Sequence, residues 1–424
     1  MSKPLIAPHR APQIYQNQFA QLADDAAFLW LLHSIAVNQP HYTQTDLVQL
    51  ESRVDAQLDG LMTAPEESWE LCFNAFQQHQ QAGEAFAASI LAFRSLEINK
   101  IQAVVVAGLA SDETFKGLVA ALAWLPGKFV HSWIKKFLTS KDINHKYLAL
   151  AVCSARREDP KEYITNILQR EDCLSHEKLY VCALQIAGQL KRFDLMPAVR
   201  VAMQSDNKNI VFWAHWSAIL MGDKNAALAL QSVVVQKNPH QLSAIQISMR
   251  SLSIEVARNW IGLLAKNPAN IRLVIAATGI LGDPQAINWL IEQARVPLLT
   301  RLAGEALTLI TGIDLEANKL ALEALPNLDD QLPNDDAAEH DIEMNEDDRL
   351  PFPDVDKIAA IWQKYSNRFI AGQRYFMGQQ INTEHLHNIY KTGYQRQRSA
   401  AAVELALLDA HQFLFNHAAK GIGE

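Results

Sequence analysis

The residues best suited to chemistry lie near the C-terminal end of the chain, where arginine and tyrosine recur together. The candidates are Arg374, Tyr375, Tyr394, Arg396 and Arg398. Arginine presents planar donors to carboxylates and phosphates, and its face stacks on aromatic rings. The pattern predicts either a structural cap that closes the last layer of helices or a recognition site for an acidic partner peptide. We place the cap first and keep both interpretations.

Two tryptophans form a second candidate. Trp213 and Trp216 are three residues apart in the stretch FWAHWSAIL, so on a helix they share one face. Such rings can line a groove that receives a partner helix or peptide. The alternative is that they belong to the core between helix layers, which is the commoner place for aromatic residues at this spacing.

Catalytic motifs are absent from the sequence. HExxH, GxSxG, GxxxxGK[ST] and GxGxxG do not occur, and the four cysteines form no CxxC pair. The cysteines lie in apolar helical stretches or ordinary loops, which predicts reduced thiols without a nucleophilic role. The sequence therefore predicts no catalytic residue, no metal site and no cofactor.

The elements that must position these residues have helical periodicity. Apolar side chains recur at three- and four-residue spacings, as in TDLVQLESRVDAQLDGL (45–61), and no alternation typical of strands is evident. The predicted class is all-α.

The helices also repeat. LMGDKNAALALQSVV (220–234) and ILGDPQAINWLIEQA (280–294) share Gly-Asp followed by a helix, and residues 251–264 fit as a degenerate middle copy, so the period is near 30. We expect Asp to cap the helix that follows each turn, here and at the earlier turns near Asp112, Asp159 and Asp194. These features predict a HEAT-like α-solenoid over 63–325.

Three further regions are predicted outside the solenoid, and one of them carries most of the negative charge. The predicted regions are an N-terminal helical cap (1–62), an acidic flexible loop (326–350) and a helical C-terminal cap region (351–424). Residues 329–356 hold twelve acids and one base, which leaves 34 acids and 37 bases elsewhere although the whole chain carries −8. This near-neutral remainder argues against a broad nucleic-acid surface. The acidic loop is interpreted as a solvated spacer or, alternatively, as an internal mimic of an acidic ligand that occupies the arginine cluster.

Several stretches resemble a proteobacterial family of HEAT-like-repeat proteins of unknown function, whose genes are associated with type VI secretion clusters. The resemblance rests on residues 26–61, on LAGEALTLITGIDL (302–315), on GQRYFMG (372–378) and on GYQRQRSAAAVELAL (393–407). It implies a repeat fold, a bacterial cytoplasm and an accessory role in secretion. The family offers no catalytic motif to carry over to this chain.

The sequence thus predicts a non-catalytic scaffold or adaptor that binds another protein, such as a secretion effector or spike component. No Sec-type signal or membrane-spanning run is evident, so we expect a cytoplasmic protein without a membrane partner. One alternative is an immunity- or chaperone-type protein that binds a co-encoded effector. Another is a HEAT-like nucleic-acid enzyme, which a continuous basic groove would favour and the near-neutral charge does not.

Overall fold

The computed structural model describes residues 13–322 and 347–421, and this part of the chain is predominantly α-helical. The predicted all-α helical-repeat class is confirmed. Most of the predicted acidic loop lies outside the described residues.

The chain divides into two compact units. Among the described residues, the first comprises 13–38, 44–183 and 418–421, and the second comprises 39–43, 184–322 and 347–417. The division falls within the stretch predicted as one solenoid.

Ten helices of the first unit are described. They are α1 (Gln13–Ala36), α2 (Gln44–Leu61), α3 (Pro65–His79), α4 (Ala82–Ser95), α5 (Ile98–Gly108), α6 (Asp112–Trp124), α7 (Gly127–Thr139), α8 (Ile143–Arg156), α9 (Glu162–Gln169) and α10 (Glu171–Leu174). Helices α4, α6 and α8 pack successively on one another, and α3, α5 and α7 each pack beside this row. Every residue of α4 from Ala85 to Phe93 is buried. Helix α11 (Glu177–Gln189) spans the point where the first unit ends and the second begins.

Close contact between α4 and α6 depends on a glycine. A Cβ atom at Gly117 of α6 would lie 2.1 Å from the carbonyl oxygen of Ala82 and 2.8 Å from the Cβ of Ala85. Only a residue without a side chain fits between these two backbones.

The described part of the second unit contains helices α12 to α23 and one short β-hairpin. Its helices are α12 (Met196–Ala202), α13 (Lys208–Leu220), α14 (Lys224–Leu228), α15 (Gln231–Val235), α16 (Gln241–Ser251), α17 (Ile254–Leu264), α18 (Ile271–Leu281), α19 (Ile287–Ala294), α20 (Thr300–Thr311), α21 (Val355–Tyr365), α22 (Thr383–Thr392) and α23 (Gln395–Leu408). Short 3₁₀ turns occupy Phe193–Leu195, Pro268–Asn270, Pro284–Ala286 and Ser366–Arg368. Helices α13, α16, α18 and α20 pack in succession, with α12, α14, α15, α17 and α19 beside them, so helix pairs repeat along this unit.

Capping side chains mark the start of successive pairs. Asp223, Ser253 and Asp283 each accept a hydrogen bond from a backbone N–H two or three residues further on. Asp314 accepts in the same way from Glu316 and Ala317 at a turn that no described helix follows directly, so such side chains recur about every 30 residues. The repeat period and the capping roles of Asp223 and Asp283 agree with the sequence prediction.

The predicted cap at Asp112 is wrong. Ser111 caps α6, because its hydroxyl accepts from the Thr114 N–H while the Thr114 hydroxyl accepts from the Ser111 N–H. Asp112 is the first residue of the helix and forms an ion pair with Lys178. A serine with a hydroxyl residue three positions later satisfies two free N–H groups at once, which Asp112 in its place would not do.

The second unit also contains an antiparallel hairpin that the sequence analysis did not predict. Strands β1 (Tyr375–Phe376) and β2 (Gln379–Gln380) pair within and beyond the GQRYFMG stretch. The Tyr375 N–H donates to the Gly282 carbonyl at 2.8 Å, and the Gly378 N–H donates to the Ile310 carbonyl at 3.1 Å. Gly282 and Gly312 end α18 and α20 at positive φ (77° and 69°) and lie against the hairpin backbone, where a Cβ atom would clash.

Replacing Gly117 tests the packing of α4 on α6. We expect Gly117→Ala to destabilise the protein by about 1–3 kcal/mol, because the new methyl group collides with backbone atoms. The control is Gly262→Ala in α17, where no atom lies within 4 Å of the place the new methyl group would take and alanine has the better helix propensity, so stability should rise by about 0.5–1 kcal/mol. Urea denaturation followed by circular dichroism measures both. Equal stability of Gly117→Ala and the wild type would show that the two helices do not pack this closely.

Candidate functional site

The predicted arginine cluster is organised around a buried carboxylate that the sequence analysis did not single out. Glu404 lies on α23 and is 4% exposed. An Arg374 Nη atom is in direct contact with a Glu404 carboxylate oxygen, and the Arg250 Nε lies 3.5 Å from the same oxygen. Two guanidinium groups thus share one carboxylate inside the second unit.

The remaining donors of Arg374 bind the ends of two helices. Its Nε donates to the Leu281 carbonyl at 3.0 Å, and its Nη1 donates to the Arg250 carbonyl at 2.8 Å. These carbonyls lie in the last turns of α18 and α16, where intrahelical partners are missing and a positive charge is favourable. Arg374 therefore acts as a shared C-terminal cap for two repeats.

Burial is the main influence on the pKa of Arg250. It lowers the pKa of Arg250, while the negative charge of Glu404 raises that pKa and the positive charge of Arg374 lowers it further. Arg250 also donates to the Gln246 carbonyl at 2.7 Å. The charge of Arg250 is tolerated inside the unit because a carboxylate and a carbonyl lie next to it.

The other two arginines make separate contacts. Arg396 binds both carboxylate oxygens of Glu305 on α20, at 3.1 and 3.2 Å. Arg398 is 5% exposed, donates to the Tyr390 carbonyl at 2.7 Å and lies over the Tyr390 ring. Because Arg396 and Arg398 are two positions apart on α23, they face different partners.

Both candidate tyrosines are also engaged within the chain. Tyr375 is 6% exposed, its hydroxyl accepts from the Ile370 N–H at 3.1 Å, and its ring contacts Phe369. The Tyr394 N–H, just before α23, donates to the Gln397 side chain at 3.1 Å. The five C-terminal candidates are therefore spread over several internal contacts, and a partner could reach most of them only by breaking these contacts.

The described acids at the end of the predicted acidic loop contact arginines of the helical repeats. Asp347 pairs with Arg272 of α18, and Asp348 lies 3.0 Å from Arg301 of α20. These two ion pairs attach the end of the loop to α18 and α20. The remainder of that loop lies outside the described residues.

The two tryptophans of α13 lie together at the surface of the second unit. Trp213 and Trp216 are both half-buried, with ring centroids 5.5 Å apart in an edge-to-face arrangement. Trp213 also meets His240 edge-on at 5.9 Å, and His240 stacks on the buried ring of Phe212 at 4.4 Å. We call Trp213, Trp216 and His240 the aromatic ledge. It differs from a core contact such as Trp260, which is 2% exposed.

The cysteines are buried and unpaired. Burial raises the pKa of Cys72, Cys153 and Cys182 to about 12, and it also raises the pKa of Cys173. A thiol with such a pKa is almost entirely protonated near neutral pH and is a poor nucleophile.

Two further properties concern only residues 13–322 and 347–421. No group of three or more His, Cys, Asp or Glu side chains is arranged to hold a metal ion there. No helix in this part is both long and apolar enough to cross a membrane.

Sequence reasoning missed Glu404, Arg250 and the wider role of Asp283. A signal was present in AAAVELALL, where one glutamate interrupts an apolar helix, because a lone acid at such a position needs a buried partner. Asp283 is 3% exposed and binds Arg258 and the Gly372 N–H in addition to capping its own turn. Its partners lie 25 and 89 residues away, where no local pattern points to them.

The fold and these contacts define an all-α helical-repeat protein. The chain matches no protein-family model, no curated protein and no solved structure.

Removing the shared carboxylate should destabilise the second unit. We expect Glu404→Gln to lower the free energy of unfolding by about 3–5 kcal/mol, because two arginines are left without a counter-charge and Arg250 is buried. The matched control is Glu305→Gln, which removes a more exposed arginine pair and should cost about 1 kcal/mol. Thermal denaturation compares the two variants. A control that is destabilised as much as Glu404→Gln would contradict a special role for Glu404.

The thiols should resist labelling in the native state. At pH 8, a disulfide reagent such as Ellman's reagent should react with the thiols only slowly until denaturant exposes all four. The folded pKa of about 12 exceeds the ordinary thiol value of 9.0, so between these values the native thiols hold protons that the unfolded ones have lost. The free energy of unfolding should therefore fall as pH rises from 9 to 12. Rapid reaction of one thiol in the native protein would identify an accessible, activated cysteine.

Proposed function

We propose that this chain is a non-catalytic scaffold or adaptor that binds another protein, and that the aromatic ledge anchors the partner. The observation that carries the proposal is the half-buried edge-to-face pair of Trp213 and Trp216. Tryptophan is the residue most enriched among the side chains that dominate protein–protein binding energies. Half-buried indole rings have apolar area left for a partner to cover.

The ledge is held in place before any partner arrives. Trp213 lies between Trp216 and His240, and His240 is stacked on Phe212, which is 1% exposed. Rings fixed in this way lose little conformational entropy on binding. Burial lowers the pKa of His240, which favours the neutral ring at physiological pH and keeps the ledge apolar.

The repeat architecture supports the same proposal. Stacked helix pairs present extended surfaces made of side chains from several repeats, and such surfaces commonly bind proteins or peptides. The ledge combines Trp213 and Trp216 of α13 with His240, which precedes α16, so two neighbouring repeats contribute to it.

The partner class follows from the resemblance to proteins associated with type VI secretion. We propose an accessory role in secretion, with an effector, a spike component or a related adaptor as the partner. The alternative site is the C-terminal arginine cluster, whose internal contacts make it the weaker candidate.

The test is affinity capture of the tagged full-length protein from its native lysate, with mass spectrometry of what co-purifies. We expect Trp213→Ala and Trp216→Ala each to reduce recovery of a defined partner at least tenfold, since a central tryptophan contributes about 2 kcal/mol or more. The matched control is Trp69→Ala in α3, which removes a half-buried tryptophan that is likewise packed on a ring, at Phe73.

Circular dichroism should show that all variants retain their helices. A partner that is kept by both α13 variants and lost by folded Arg396→Ala would move the binding site to the C-terminal cluster. A partner lost equally in the Trp69→Ala control would show that capture depends on stability and not on the ledge.

A further inference from the structure

The first unit contains a long stretch of the chain with an excess of positive charge. Residues 114–141 include five lysines and neither aspartate nor glutamate. Four of the lysines, Lys128, Lys135, Lys136 and Lys141, lie on α7 or just after it. The near-neutral charge of the chain outside residues 329–356 conceals this local excess.

Helix α7 buries one face and exposes the other. Its apolar residues Val130, Ile134, Phe137 and Leu138 are buried in the unit. On the opposite side Lys128, His131 and Lys135 follow at intervals of three and four residues, and all three are exposed. The basic side is therefore a solvent-facing stripe on a helix that is anchored by its other side.

The four lysines on and just after α7 have no acidic partner within the part of the chain that the structure describes. Across residues 13–322 and 347–421, no carboxylate lies within ion-pair distance of Lys128, Lys135, Lys136 or Lys141. Many other bases of the chain do have such a partner, as in the pair of Lys116 with Glu113 at 2.8 Å. Unpaired charges of one sign on one helix produce a local positive potential that attracts acidic groups.

Aromatic rings lie between the lysines. The Lys136 ammonium is 4.2 Å from the centroid of Trp133, and the Lys128 ammonium is 5.0 Å from that of Phe129. Both rings are half-buried. The surface thus offers cationic groups and apolar patches side by side.

We propose that this face of α7, defined by Lys128, Lys135, Lys136 and Lys141 with Phe129 and Trp133, binds an acidic segment of a partner protein that also carries apolar side chains. Glutamates or aspartates of the segment pair with the lysines, and its apolar residues cover the two rings. This inference goes beyond the proposed function, because it concerns a different surface, in the other unit, and a different binding chemistry.

The dimensions of the face favour a peptide over a nucleic acid. The span from Lys128 to Lys135 is about 10 Å along the helix axis. Two acids lie close to the face, since Asp142 follows Lys141 directly and Glu158 contacts His131 at 3.1 Å. A duplex needs a wide field of phosphate-facing bases, which four lysines over this short span do not provide, whereas a short acidic segment can pair with these lysines one by one.

The test uses the full-length protein and a fluorescein-labelled peptide of alternating glutamate and leucine. A peptide with glutamine in place of each glutamate is the neutral control probe. We expect the acidic peptide to bind more tightly, with an affinity that falls as salt rises from low to physiological concentration. Fluorescence anisotropy measures both affinities.

The variant that tests the site is Lys128→Gln/Lys135→Gln/Lys136→Gln. Its matched control is Lys224→Gln/Lys237→Gln/Lys266→Gln, which makes the same charge change at three exposed lysines of the second unit. We expect the α7 variant to bind the acidic peptide about tenfold more weakly and the control to bind it nearly as well as the wild type. All six side chains are exposed, so both proteins should keep the wild-type melting temperature.

Three outcomes would overturn the inference. Equal affinity for the acidic and neutral peptides would show that charge does not contribute to binding. An equal loss of affinity in the two triple variants would show that the acidic peptide binds lysines without regard to their position. Tighter binding of single-stranded or duplex DNA, lost in the α7 variant alone, would make this a nucleic-acid face. Trp213→Ala should leave peptide binding unchanged, so failure of this inference and failure of the proposed partner site are separable.

Discussion

The second unit depends on a carboxylate that two arginines share. Arg250 belongs to the repeats, Arg374 precedes the hairpin, and Glu404 lies on the last helix, so three distant parts of the chain meet at one buried group. A guanidinium group inside a protein is unfavourable unless a counter-charge and hydrogen-bond acceptors surround it. The repeats therefore need the C-terminal region to complete their interior, and that region needs the carbonyl groups of the repeats.

Backbone hydrogen bonds also join the hairpin to the helical repeats. The ends of α18 and α20 leave carbonyl groups without intrahelical partners, and glycines at Gly282 and Gly312 turn the chain away at positive φ. The hairpin approaches closely at both glycines and donates hydrogen bonds to Gly282 and Ile310. The hairpin backbone thus supplies hydrogen-bond donors that the ends of α18 and α20 lack. The arginines and tyrosines in the last part of the sequence make their contacts with other groups of the second unit.

The functional proposals rest on two surfaces, the aromatic ledge and the lysine-rich face of α7. The aromatic ledge keeps apolar area exposed although its rings are fixed, and the α7 face keeps four lysines without acidic partners in the described part of the chain. Helices α7 and α13 are also anchored in their units by other, buried side chains. An apolar anchor and a charged surface use different physical interactions, so one can be altered without changing the other.

Local patterns in the sequence were enough to predict the class, the repeat period and the caps at Asp223 and Asp283. Helical periodicity and helix capping depend on residues that are a few positions apart, so the local sequence is enough to predict them. The partners of the arginines required the tertiary structure, because Arg374 reaches Glu404 across 30 residues, Leu281 across 93 and Arg250 across 124. The lysine face of α7 was visible in the sequence as a stretch without acids, but only packing decided which side of the helix faces solvent. Contacts over such distances depend on how the helices stack, and that stacking is a property of the whole fold.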